Sequence, residues 1–299
     1  MQDLHNTLAP LQRWILAIRP KTLTAAIAPV VLGWGVASIT GRFHWGAALA
    51  ALLTSIMIQI GTNLVNDVVD FSKGADTEAR TGPVRVTQTG LLTPRQVWGG
   101  VALSFGLAVL AGLYLTWIAG WPVLVLGAVS IISGIAYTAG PYPLAYHGLG
   151  DLFVLLFFGF AAVAGTVFVV AQQLPPQTWL AATAAGALTV NILIVNNIRD
   201  IETDRLAGRK NLPIVFGRKA AEWEFALMLA LAFAIPFILI CKQLSSAWVL
   251  LTLLTFPQAL KIWGSLRSGK SGQALNPTLG QTAQLLLWFC LLFTLGLLI

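Results

Sequence analysis

Hydrophobic residues run through this chain in long blocks separated by short polar interruptions, a pattern of helices that cross a bilayer and not of helices that cover a soluble core. An apolar run of about 20 residues spans a hydrocarbon layer of roughly 30 Å as a helix. Nine such runs can be placed, at residues 22–40, 44–66, 97–118, 121–138, 152–171, 178–198, 221–240, 245–263 and 281–299. Ahead of the first, Leu4, Leu8, Leu11, Ile15 and Ile18 recur at helical spacing, which predicts an amphipathic helix within residues 1–21 lying in the membrane interface. Arg13 and Arg19 interrupt any apolar run there, so the segment does not read as a cleaved signal peptide. The predicted architecture is all-α: one polytopic membrane domain over residues 1–299, a bundle of about nine transmembrane helices.

Composition agrees, since the chain is 57% hydrophobic and 10% charged, against roughly 25% charged in a soluble domain. Charge then adds direction. Of the 18 Lys and Arg, 16 fall in alternate connections on one side and only Arg42 and Lys242 on the other. Basic residues resist translocation, so the N-terminus and the basic connections are expected on the cytoplasmic side of a bacterial inner membrane. The net charge of +7 is thus an orientation signal that suits anionic lipid or an anionic substrate, and it does not imply nucleic acid. Cys241 and Cys290 are too few and too far apart for a disulfide frame or a thiolate metal site.

The acidic residues are where chemistry is expected. Seven of the 11 lie in two clusters at the predicted inner ends of the second and sixth runs. The first holds Asn63, Asn66, Asp67 and Asp70, followed by Lys73, Asp76, Glu78, Arg80 and Arg85; the second holds Asn196, Asn197, Arg199, Asp200, Glu202 and Asp204, followed by Arg205, Arg209 and Lys210. Helical periodicity gives each run an oxygen-rich stripe, Asn63–Asn66–Asp67–Asp70 and Asn197–Asp200–Asp204. The stripes superimpose at a constant offset, Asn66 on Asn196, Asp67 on Asn197 and Asp70 on Asp200, which suggests two related helix pairs facing a cavity.

Carboxylates gathered at a partly desolvated membrane edge repel one another unless cations are supplied. Hard oxygen donors without His or Cys favour Mg²⁺, held by carboxylates together with substrate phosphates. Lys73, Arg80, Arg85, Arg199 and Lys210 are then placed to donate charge-assisted bonds to a diphosphate. The plainer reading, solvated polar caps where helices leave the membrane, explains one cluster more easily than two matching ones. A cation-coupled transporter would also keep carboxylates on repeated helices, but nearer mid-span.

At these residues the chain resembles the UbiA-type intramembrane aromatic prenyltransferases, whose two Asp-rich motifs hold Mg²⁺ and a prenyl diphosphate in a nine-helix bundle. The resemblance rests on Arg19-Pro-Lys21-Thr, Asn66-Asp67-x-x-Asp70-x-x-Lys73-Gly-x-Asp76, Gly82-Pro-x-Arg85, Gly148-Leu-Gly-Asp151, Asn196-Asn197-x-Arg199-Asp200-x-x-x-Asp204 and Leu275-Asn276-Pro. Gly stands at position 74 with the next acid at Asp76, and the second motif opens with Asn197. Both departures from the commonest pattern resemble the branch that acts on 1,4-dihydroxy-2-naphthoate.

The resemblance implies Mg²⁺-dependent transfer of a polyprenyl or phytyl group from its diphosphate to that acid, with loss of CO₂. Asp67, Asp70, Asp200 and Asp204 would be catalytic and, with Asn63, Asn66 and Asn197, would bind metal. Arg19, Lys21, Tyr137, Tyr146 and Asp151 are candidates for the acceptor side; Tyr142 and His147 lie in the same connection, where interfacial anchoring by aromatics is the simpler reading. Prenylation of 4-hydroxybenzoate or homogentisate is the alternative within the family.

Overall fold

The computed structural model describes residues 8–74, 82 and 84–299. Among them, α1 (Pro10–Ile18) precedes α2 (Pro20–Ser38), α3 (Trp45–Ser72), α4 (Pro94–Ala119), α5 (Trp121–Ala136), α6 (Gly150–Ala171), α7 (Gln177–Arg199), α8 (Arg218–Cys241), α9 (Ala247–Arg267) and α10 (Gly272–Leu298). Eight of these are long and apolar enough to cross a membrane, and α5 is a shorter apolar helix of 16 residues. The all-α bundle expected from the apolar runs is therefore present, with the fourth run as its short member.

Local chemistry sets the helix ends. Thr93 caps α4 by accepting from the Gln96 amide at 3.3 Å, while the Gln96 side chain accepts from the Thr93 amide at 2.9 Å and Pro94 fills the first turn. A single residue, Gly120 at φ 89°, reverses the chain between α4 and α5. Such a corner needs a residue free of Cβ strain. Arg19 breaks α1 from α2 in a left-handed conformation at φ 54°, which is uncommon for a residue with a side chain.

Helix α7 is the most enclosed span, with Ala181, Ala182, Ala184, Ala185 and Ala187 all buried. In a bilayer, helices associate by close packing and not by exclusion from lipid, so small residues mark the tight seams. At Gly159 and Gly186, α6 and α7 approach so closely that a Cβ on Gly159 would lie 2.9 Å from the Gly186 Cα. Here α6 takes on a π-helical stretch, Leu155–Ala161. Against this frame α3 lies along α4, α2 along α10, and α7 along α8.

The bundle encloses a cavity of about 710 Å³ walled by α2, α3, α4, α5, α6, α7 and α10. Its far walls are apolar, with Leu115, Val123, Leu126 and Phe157 among them. Its near end is polar, with Arg19, Lys21, Asn66, Asn196, Arg199 and Asn276.

Candidate active site

The inner end of α3 continues to Ser72, past the end of the apolar run, because its acids are covered by protein and not by lipid. Asp67 is 1% exposed and accepts from two backbone amides, Val86 at 3.1 Å and Thr87 at 3.0 Å. It thereby fixes the segment that carries Arg85. Arg85 in turn donates to Asp70 Oδ2 at 2.7 Å, and both side chains are buried. Asp70 Oδ1 is buried without a hydrogen-bond partner.

The rest of the stripe fans out to different neighbours. Asn63 donates to the Ile18 carbonyl at 3.0 Å and to Thr22 Oγ1 at 2.8 Å, and its own oxygen accepts from Gln59 at 3.2 Å. It thus secures the α1–α2 corner. The Thr138 hydroxyl donates to Asn66 Oδ1. Lys73 Nζ donates to the Thr138 carbonyl at 2.7 Å and stands 5.7 Å from the Tyr146 ring centre.

Helix α7 ends at Arg199, where Asp200 leaves helical geometry before a short helix, Ile201–Leu206. Arg199 is buried and donates to Asp200 Oδ1 at 2.8 Å, Asp200 Oδ2 at 2.5 Å, Asn196 Oδ1 at 2.8 Å and Asn276 Oδ1 at 3.2 Å. One guanidinium therefore joins the second motif to the start of α10. Asn197 is buried at the same helix end. Asp204 accepts from Asn211 at 2.9 Å. Gly208, at φ 71°, turns the chain so that the Arg209 amide donates to the Asp204 carbonyl at 3.0 Å and the Lys210 amide to the Tyr146 carbonyl at 3.2 Å.

Arg209 brings the two motifs together. It lies 3.6 Å from Asp70 Oδ2 and 3.3 Å from Asp204 Oδ1, with its guanidinium 5.1 Å from the Tyr146 ring centre. Burial opposes its charge, but Asp204 and Asp70 overcome this and hold its pKa above the ordinary arginine value. The expectation from sequence concentrated on the carboxylates and on Lys210, whose side chain is exposed, and passed over Arg209. The only local signal for it is the basic run itself. Asn196 and Asn276, which also hold Arg199, line the cavity.

The other candidates take different places. Arg19, Lys21 and Tyr137 line the cavity, Tyr146 stacks beside its cations, and Asp151 opens α6 with Oδ1 buried and without a partner. Burial pushes the Tyr137 phenol up to about 12, against the opposing pull of Arg209, so it is neutral at ordinary pH. Tyr142 stacks on His147 with ring centres 3.4 Å apart. Asp76, Glu78 and Arg80 lie outside the described residues.

The donor set suits a hard cation. Among the described residues no three His, Cys, Asp or Glu side chains are grouped so as to hold a metal ion alone. Asp70 and Asp204, on either side of Arg209 and with Asp70 Oδ1 unpartnered, leave a site to be completed by anionic ligand oxygens, which is how Mg²⁺ is commonly held.

The fold and the site together define an integral membrane protein whose central chamber ends at a paired acid–arginine cluster at one edge of the bundle. Residues 26–279 match the UbiA prenyltransferase family, and the chain belongs to that family. It is 36% identical to a 1,4-dihydroxy-2-naphthoate octaprenyltransferase of Mycobacterium tuberculosis, over 94% of this chain and 95% of that one. It is equally 36% identical to the Escherichia coli enzyme of the same description, over 95% and 94%. A UbiA homolog from Archaeoglobus fulgidus bound to DMAPP and Mg²⁺ shares the fold at a TM-score of 0.67 and 17% identity, covering 94% of this chain and 99% of that one.

Proposed function

We propose that this protein transfers a polyprenyl group from its diphosphate to 1,4-dihydroxy-2-naphthoate, releasing diphosphate and CO₂ and leaving a demethylmenaquinol-type product. The observation that carries this reading is the junction of an apolar chamber of about 710 Å³ with the cluster in which Arg209 joins Asp70 to Asp204. Relatives that share over a third of its residues across nearly the whole chain are naphthoate octaprenyltransferases.

Asp70, Asp204 and Asn66 would hold Mg²⁺ together with the diphosphate, with Asp200, Asn197 and Asn63 supporting them. When bound, the metal supplies Lewis-acid stabilisation of the charge that builds on the leaving diphosphate. Lys73, Arg85, Arg199 and Lys210 supply fixed positive charge toward the same oxygens, a task that needs preorganised donors more than a strong base. The allylic C–O bond breaks with its electron pair on the diphosphate. The electron-rich ring carbon bearing the carboxylate then bonds to the prenyl carbon, and the C–CO₂ bond returns its pair to the ring. Asp67 braces the segment that carries Arg85. Arg19 and Lys21 meet the acceptor carboxylate from the cavity wall, with Tyr137, Tyr146 and Asp151 on the side where the ring sits.

The whole chain acts as one membrane domain, with α1 lying in the interface and the acidic end on the cytoplasmic face of the inner membrane. The test is turnover of a radiolabelled prenyl diphosphate by purified protein with a panel of aromatic acids. 1,4-Dihydroxy-2-naphthoate should be converted with one CO₂ per diphosphate, and Asp70→Ala, Asp200→Ala or EDTA should abolish conversion. Arg19→Ala should raise the KM for the acid more than that for the prenyl diphosphate. Efficient prenylation of 4-hydroxybenzoate with its carboxylate retained would overturn the acceptor, and full activity in EDTA would overturn the metal.

A further inference from the structure

The chamber does not end in a closed apolar wall. On the outer flank of α5 and α6 lies a second, wholly apolar groove of about 430 Å³, and five residues, Val123, Leu126, Phe157, Ala161 and Gly165, line both spaces. The partition between them is one side chain thick. A Cβ on Gly165 would come within 2.9 Å of Leu126 Cδ2 and meets nothing else nearby, so the tip of Leu126 lies directly on the bare Gly165 backbone. Beyond the partition the groove opens on the side of the bundle, where Val129, Leu156 and Leu174 are 45%, 43% and 41% exposed.

Two further features bear on this wall. The π-helical stretch Leu155–Ala161 contributes both Phe157 and Ala161 to it, and such irregular turns recur at functional sites. Leu126 also lies 11 positions before Tyr137 on the same helix, roughly 16 Å from the polar end at about 1.5 Å per residue. The partition thus stands deep in the apolar part of the chamber, where only the far portion of a bound tail could reach.

Cavities of about 300–1,000 Å³ enclose a drug-sized molecule. A bicyclic acid, a diphosphate and a chain of many isoprene units exceed one such volume, so a long tail needs a way out of a chamber of about 710 Å³. We propose that the distal end of a long prenyl tail leaves the chamber between α5 and α6, past Leu126 and Gly165, and lies in the flanking groove, so that this pair sets the tail length the protein accepts. The proposal rests on the prenyl-transfer reading. Its occupant is the tail and not an acyl chain of the bilayer, because the groove continues the chamber through five shared residues and every one of its lining residues is apolar.

The test compares geranyl diphosphate with octaprenyl diphosphate, each with 1,4-dihydroxy-2-naphthoate. Leu126→Trp fills the gap and should lower kcat/KM for the octaprenyl substrate by about tenfold or more while leaving the geranyl substrate within about twofold. Leu126→Ala widens it and should not penalise the long tail. A variant that does not depend on refolding around a larger side chain is Ala164→Cys in a background free of other cysteines, since Ala164 lines the groove but not the chamber. Alkylating the folded protein there with a bulky maleimide should block the octaprenyl substrate and spare the geranyl one. Equal effects on both substrates, or none on either, would overturn the exit path while leaving the reaction intact. An unmodified protein that turns over neither substrate would overturn the reaction itself, and the path with it.

Discussion

Replacing Asp67 separates a carboxylate that braces the chain from one that works only through metal. In the structure each Asp67 oxygen accepts a backbone amide, from Val86 and Thr87, inside a site that water does not reach. Hydrogen bonds to a charged group contribute about 1.5–3 kcal/mol each, and a buried amide left unpaired costs about 1–3 kcal/mol. Asn at this position keeps one acceptor and turns an NH₂ toward the other amide, so Asp67→Asn should cost on the order of 2–3 kcal/mol; Asp67→Ala loses both bonds and should cost on the order of 3–5 kcal/mol. The assay is thermal unfolding in detergent with EDTA, followed by the fluorescence of the 11 tryptophans. Both variants should melt several degrees below the parent. Residues 84–92 should be cleaved faster by a protease, because Val86, Leu91 and Leu92 pack beneath α3 only while this segment is pinned. If Asp67→Asn melts like the parent in EDTA and differs only when Mg²⁺ and diphosphate are present, the bracing argument is wrong.

Arg209→Ala should destabilise the metal-free protein by about 3–5 kcal/mol, because Asp70 and Asp204 lose the cation between them, and added Mg²⁺ should restore part of the lost melting temperature. Gly296→Ala should destabilise, since the new methyl would meet the Trp248 carbonyl oxygen at 2.4 Å, whereas Gly106→Ala, in open space within α4, should raise stability by about 0.5–1 kcal/mol in the same melts. Single cysteines at Ala207 and Gln243 in a cysteine-free background should report opposite faces of the membrane. An impermeant maleimide should label Gln243→Cys in intact cells and Ala207→Cys only after lysis, and the reverse pattern would invert the orientation.

The bundle was legible in the sequence because each span announces itself locally, through an unbroken apolar run bounded by a cap or a basic residue. Trp121–Ala136 and Gln177–Arg199 lie within two residues of the runs read from hydropathy. The end of α3 was not, since hydropathy falls at Asn63 while the helix continues to Ser72 under protein cover. The residues of both acidic motifs were legible as chemistry, but their partners were not. Periodicity put Asn63, Asn66 and Asp67 on one stripe, yet they turn to Thr22, Thr138 and the Val86–Thr87 amides, contacts 41, 72 and about 20 positions away. Long-range pairing of that kind leaves no periodic trace. The same holds for Arg209, which nothing in its neighbourhood distinguishes from Lys210, and for the π-helical stretch that shapes the chamber wall.

The arginines woven among these acids also bear on how such a chain is made. A membrane protein enters the bilayer before any substrate is present, and bare carboxylates at its inner edge would resist burial. Arg85 against Asp70, Arg199 against Asp200 and Arg209 across Asp70 and Asp204 supply the neutralising charge from within the polypeptide. Insertion and assembly of the bundle are thereby independent of the cell's supply of divalent ions, and the empty protein can be overproduced, extracted and stored in chelator without coming apart.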